Sequence, residues 1–276
     1  VDAGRGQRIG GIVTSYIRWL EEQGAPSART ARHQWATASG FFDDREAIDQ
    51  HDVDVFVSRR RAAGISDETI RRQLGILRAA LRRHERSGGS RAPLISLPPP
   101  GRPRERKLSR EELSRLVEAC EEPHVRLAVE ILAGTGLRVG RVLALKWADV
   151  DLRRGEIRLE TRRRAKGAPR VLPLPRTLIE SLRASERVCD HVVAYDGRPV
   201  ASIRRGFRTA CDRAGLGPDV VPHTIRHSVA TILLDEGVPL TVVSQLLGHS
   251  SSLVTERVYA RHTAQALAQA TRRLER

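Results

Sequence analysis

The chain has 276 residues, with 48 lysines and arginines against 33 acidic residues, a net charge of +15 and a pI near 11.1. That length predicts two domains, and that charge predicts a polyanionic partner, nucleic acid first. No apolar run approaches the ~20 residues of a membrane helix, residues 1–11 lack a secretory leader, and three scattered cysteines (Cys120, Cys189, Cys211) fit neither a disulfide framework nor a zinc cluster, so a cytoplasmic protein is expected.

In chain order, apolar residues recur at helical spacing over 8–23, 27–42, 52–63 and 67–87, with Gly24, Gly64 and Gly88 at the expected helix ends. The N-terminal domain, residues 1–92, is therefore expected to be all-helical. Its last helix sets Ile70, Leu74, Leu77 and Leu81 in a core stripe beside a basic stripe of Arg71, Arg78 and Arg82, which are candidate phosphate contacts. Residues 93–107, rich in proline and then basic, read as an extended linker whose Arg104, Arg106 and Lys107 are further DNA-binding candidates. The charge is uneven: residues 1–100 hold 16 basic and 12 acidic side chains, the rest 32 and 21, so the second domain should grip a polyanion harder.

In the second domain, 108–276, Ser109-x-x-Glu112 is a capping-box pattern that opens a helix, followed by helices near 123–134 and 138–147. Residues 156–160 and 170–174 are β-prone and flank the basic turn RRRAKGAP, so a hairpin is predicted, with Arg163 and Arg164 as DNA-binding candidates and Lys166 at the turn. Helices resume near 176–184, 201–214, 223–236, 239–247, 251–260 and 263–274. The fold class is mainly α: a helical N-terminal domain and a mostly helical catalytic domain with a small β-sheet.

The chemistry-bearing residues lie between Arg138 and Tyr259. GTGLR ends an apolar helix in glycines and presents Arg138 at the next helix start, where backbone N–H groups and a guanidinium together suit a phosphate. In HTIRH, His223 and Arg226 stand at i and i+3 and so share a helix face. His223 and His227 have zinc-ligand spacing, but no glutamate follows the first histidine and no third ligand is evident, so no metal is expected. LGHSS carries His249, and VYARH carries Tyr259 ten residues later.

GTGLR, HTIRH, LGHSS and a tyrosine in VYARH together resemble the tyrosine recombinase (phage integrase) signature, over nearly the whole second domain. The resemblance implies a site of Arg138, Lys166, His223, Arg226, His249 and Tyr259 and an N-terminal domain that clamps DNA. It also implies cutting and rejoining of double-stranded DNA at specific recombination sites through a 3′-phosphotyrosyl bond, without metal or nucleotide cofactor, by a homotetramer on two DNA sites. Lysine suits the role of acid because its proton is transferable and arginine's is not; the chain has just three lysines, Lys107, Lys146 and Lys166. The family usually carries an acidic residue three positions after the first arginine. Here that position is Arg141, with Glu130 and Asp149 as substitutes to consider. Type IB topoisomerase chemistry and a DNA-binding relative without cleavage are the alternative readings, the second motivated by Arg141. A metal-dependent nuclease lacks the carboxylate cluster it would need.

Overall fold

The structure is a computed structural model that describes residues 8–100, 106–159 and 170–248. The chain divides into two units, 1–104 and 105–276, each with its own hydrophobic core.

The first unit is helical: α1 (Ile9–Glu22), α2 (Ala28–Ala36), the single turn α3 (Ser39–Phe42), α4 (Gln50–Ala62) and α5 (Asp67–Arg86). The predicted stripe Ile70, Leu74, Leu77 and Leu81 is buried against α1 and α2, each side chain contributing roughly 1.5–3 kcal/mol. Local signals fix the helix starts. Asp49 and Asp52 form a reciprocal capping box on α4, and the Ser66 hydroxyl accepts the Thr69 N–H at the start of α5. The single helix predicted over 27–42 is instead broken at Thr37. The Thr37 hydroxyl donates to the Gln34 carbonyl (2.8 Å) and accepts from Gln73 Nε2 (2.7 Å), and the break turns Phe42 into the core against Trp35, Phe41 and Phe56. Part of the predicted linker belongs to this unit: Ile95 is buried in its core, the Ser96 N–H donates to Gln50 Oε1 (2.8 Å), and Arg71 donates to the Pro98 carbonyl.

The second unit begins with α6 (Arg110–Glu118), α7 (Pro123–Thr135) and the short α8 (Val139–Leu143). Ser109 and Glu112 form the predicted capping box. Apolar residues are buried around most of α7, which makes it the central helix. The helix predicted over 138–147 stops at Leu143, because the following residues pair elsewhere: the Leu145 carbonyl accepts the Val192 N–H (2.9 Å), the Trp147 N–H donates to the Asp190 carbonyl (2.9 Å), and Lys146 bridges His191. After a 3-10 turn at Trp147–Asp149 comes an antiparallel sheet in the order β1 (Val150–Asp151), β2 (Glu156–Leu159), β3 (Arg170–Pro173), with Ile157 opposite Leu172. The expected hairpin is thus β2–β3. α9 (Arg176–Ala184) follows as predicted, and then an unpredicted hairpin, β4 (Ala194–Tyr195) and β5 (Arg198–Pro199), turns through Asp196 and Gly197, both at positive φ. α10 (Arg204–Arg213), α11 (Pro222–Asp235) and α12 (Leu240–Leu247) complete the described part. Among the described residues no helix is long and apolar enough to cross a membrane.

α7 ends at Gly136, where φ is +63° and an added Cβ would lie 2.6 Å from Leu247 Cδ2. Gly136→Ala combines a left-handed residue with a packing clash and should destabilise the chain by about 2–4 kcal/mol in urea unfolding. The cysteines offer a second check. Burial pushes the Cys120 and Cys211 thiols up to about 11, so near pH 8 both remain protonated and shielded. Alkylation of the native protein at that pH should modify the half-exposed Cys189 and spare the other two until denaturant is added.

Candidate active site

The turn after α7 is built by its own side chains. The Thr135 hydroxyl donates to the Ile131 carbonyl and accepts the Leu137 N–H (3.3 Å), and Leu137 is buried, so the chain emerges with Arg138 exposed in extended backbone just before α8. α11 starts on Pro222, whose missing N–H costs nothing at that position. The Thr224 hydroxyl accepts the Val221 N–H (3.1 Å). From this first turn His223 projects outward, while Arg226 is 4% exposed and donates from Nη1 to the Gly136 carbonyl at 2.7 Å. The two motifs are therefore joined directly, guanidinium to backbone, across 90 positions of sequence.

Arg138, His223 and Arg226 line one cleft of about 1080 Å³, together with Arg141, Lys146, Asp149 and the apolar Leu137, Leu159 and Leu247. Asp149 is the one carboxylate among the described lining residues. It is held by its own turn, Oδ2 accepting the Lys146 N–H at 3.1 Å. Of the two carboxylates weighed against Arg141, Asp149 thus faces the cleft. Glu130 pairs with Arg126 (3.5 Å) and lines a separate cleft with Arg110 and Thr177. A cleft with this many cations and a fixed donor set can bind a phosphodiester and stabilise charge that builds on its oxygens.

Lys166, His249 and Tyr259 lie outside the described residues, as do Arg104, Arg163, Arg164 and the helices predicted over 251–260 and 263–274. The described chain ends on α12, whose Leu247 reaches the cleft and whose cap, Gly248, has φ +67° and directly precedes His249 in sequence. Among the remaining DNA-binding candidates, Arg82 is exposed and Arg78 is half-buried on α5, while Arg71 is committed to Pro98. Arg106 and Lys107 are engaged within the second unit. Arg106 donates twice to Glu112 (2.7 and 3.3 Å), bonds that raise its pKa above the ordinary arginine value and lower that of Glu112, and Lys107 stands 3.8 Å from Asp235. Lys146, which none of the sequence motifs singles out, also lines the cleft. Its rarity as a lysine was the available signal, but its place at the cleft depends on the bridge to His191.

The sequence profile of the phage integrase family matches residues 106–266. A tyrosine recombinase XerA of Thermococcus kodakarensis is 34% identical over 272 residues, covering 94% of this chain and 93% of that protein. A tyrosine recombinase XerC of Xanthomonas campestris is 30% identical over 251 residues, covering 85% and 76%. In fold, the chain is similar to the Tn1549 transposon integrase solved with transposon right end DNA (TM-score 0.73, 17% identity, 98% and 100% covered) and to a lambda integrase tetramer bound to a Holliday junction (TM-score 0.72, 20% identity, 91% and 77% covered). With a profile match over more than half its length and a relative this similar along nearly all of it, the chain belongs to the phage integrase family and is a tyrosine recombinase, an enzyme of site-specific DNA recombination.

Proposed function

We propose that the chain cuts and rejoins duplex DNA through a 3′-phosphotyrosyl bond made by Tyr259. The observation that carries the reading is the convergence of Arg138, His223 and Arg226 on one cationic cleft. Tyr259 Oη attacks the scissile phosphorus and gives its proton to His223. As the P–O5′ bond breaks, Lys166 protonates the departing 5′-oxygen. Arg138, Arg226 and His249 hold the non-bridging oxygens while negative charge shifts onto them, and loss of one such donor typically costs on the order of 10²–10³ in rate. The bond to tyrosine conserves the energy of the cut strand, so a 5′-hydroxyl from another duplex reverses the step and exchanges strands. The family's residues include no metal ligand, and none enters the steps above. Asp149 takes the place of the carboxylate displaced by Arg141, next to the cations it would orient.

The working assembly in this reading is a homotetramer on two specific DNA sites, acting in the cytoplasm and on the nucleoid in a bacterial host. The second unit supplies most of the grip on DNA, and Arg78 and Arg82 of the first unit add backbone contacts. Arg141 favours one competing reading, a chain that binds DNA without cutting it. A nicked suicide substrate carrying candidate core sites, resolved by denaturing electrophoresis, separates the two, because only a cutting enzyme leaves a covalent protein–DNA adduct.

Tyr259→Phe should bind DNA with near-normal affinity and form no adduct, since only the attacking hydroxyl is removed. An adduct mapped to Tyr16 or Tyr195, or full activity in the variant, would refute the assignment. Lys166→Ala should lose roughly 10²–10⁴-fold in cleavage of ordinary DNA, the range usual for a general acid. Replacing the bridging 5′-oxygen by sulfur supplies a leaving group that hardly needs protonation. Lys166→Ala should then approach the unaltered rate while Arg226→Ala stays slow. Rescue of neither variant would make Lys166 a phosphate clamp instead.

A further inference from the structure

α11 carries both His223 and Arg226, so whatever fixes this helix fixes the cleft. On one side it is held by the bond from Arg226 to Gly136. On the other lies the segment by which the chain enters the second unit; Leu108 shares the core with Ile225 and Val229, and a buried hydroxyl of α11 adds a hydrogen bond to it. Ser228 has no solvent exposure; its Oγ accepts the Leu108 N–H at 2.7 Å and donates to the Thr224 carbonyl at 2.7 Å. Leu108 is itself buried at 1% exposure. Two further ties between this segment and α11 sit at the far end of the helix and are exposed ion pairs, Lys107 with Asp235 (3.8 Å) and Arg110 with Glu236. Such pairs hold a helix end weakly.

A serine that bonded only to the carbonyl one turn back would be an ordinary feature of a helix interior. Ser228 does more, because its remaining acceptor capacity takes an amide 120 positions away that has lost contact with water. The angular positions matter too. At 100° per residue, Ser228 lies about 160° around the helix from Arg226, so α11 is gripped on opposite faces. α11 also packs against α7 and α12, and within that packing a roll of about 10° moves a group roughly 6 Å from the helix axis by about 1 Å.

We infer that Ser228 is a positioning residue for the recombination chemistry: by tying Leu108 to the first turns of α11, its hydroxyl holds His223 and Arg226 in register with Arg138. The inference rests on the functional reading above, but the tie itself is measurable without DNA cleavage. In the full chain, Ser228→Ala and the near-isosteric Ser228→Cys remove or weaken both bonds, and Ser228→Thr keeps a hydroxyl at the same place. Thr231→Val removes a hydroxyl from the same buried face without touching the acceptor of Leu108, and serves as control.

Single-turnover adduct formation on the suicide substrate at saturating protein should fall about 10- to 100-fold in the Ala and Cys variants, the cost of a misplacement of order 1 Å. DNA affinity should stay within about twofold, because phosphate contacts outside the cleft dominate it. Ser228→Thr should recover most of the rate, and Thr231→Val should retain it. In parallel, hydrogen exchange at the Leu108 amide and the first turn of α11 should quicken at least about tenfold in the Ala and Cys variants and not in Thr. Unchanged exchange in both variants overturns the tie. So does an unchanged cleavage rate, or loss of binding and cleavage in equal proportion, which is the mark of a merely less folded protein. If the unaltered chain forms no adduct while the exchange pattern appears, the recombinase chemistry fails and the tie stands.

Discussion

A guanidinium cannot shed its charge, so a buried arginine must be given acceptors or it will not stay buried. Arg226, at 4% exposure, takes the Gly136 carbonyl as one of them. That carbonyl is offered because α7 ends in a left-handed glycine, whose conformation frees it from the helix ladder. The left-handed turn is tolerated because no Cβ intrudes on Leu247. The end of α7, the start of α11 and the end of α12 therefore meet around one charge-assisted bond, and the cleft opens beside it. Arg138, two residues beyond Gly136, takes its position from the same turn.

How much of this was legible in the sequence depended on how local the cause was. The capping box of Ser109 and Glu112, the stripe along α5 and the amphipathic α9 are encoded within a few residues, and each stands where expected. The break at Thr37 was not legible, since its cause includes a bond from Gln73, 36 positions away. Nor was the early end of α8, where Leu145, Lys146 and Trp147 are drawn off to pair with residues 190–192. The β4–β5 hairpin has a local turn signal in Asp196-Gly197 but lacks the alternating hydrophobics that mark a strand pair. GTGLR and HTIRH put forward Arg138, His223 and Arg226, and the three line one cleft. The approach of Lys146 and Asp149 to the same cleft follows from long-range pairing that periodicity does not carry. Burial of Arg226 was likewise invisible, because an H-x-x-R spacing gives a shared face without saying which member faces inward.

The basic composition divides into kinds that net charge does not distinguish. Arg71, Arg106 and Arg110 are spent on carbonyls and carboxylates of their own unit. Arg138, Arg141 and Lys146 are gathered at the cleft. Counting cations thus overstates the surface that meets a polyanion, while their clustering says where the field is strongest. Arg141 lines the cleft at the position where the resemblance leads one to expect a carboxylate, and Asp149 is the one carboxylate among the described lining residues.

The contacts by which the chain enters the second unit are graded in their sensitivity to ionic strength. Lys107–Asp235 and Arg110–Glu236 are exposed and are screened first as salt rises; Arg106–Glu112 is partly buried and bidentate, and yields later; the Leu108–Ser228 bond is neutral and shut away from water, and is indifferent to salt. Concentrated electrolyte therefore frays this junction from its outer end inward and leaves the turn that carries His223 for last. A change of buffer that strips such an enzyme from DNA does so without loosening the buried bond between Leu108 and Ser228.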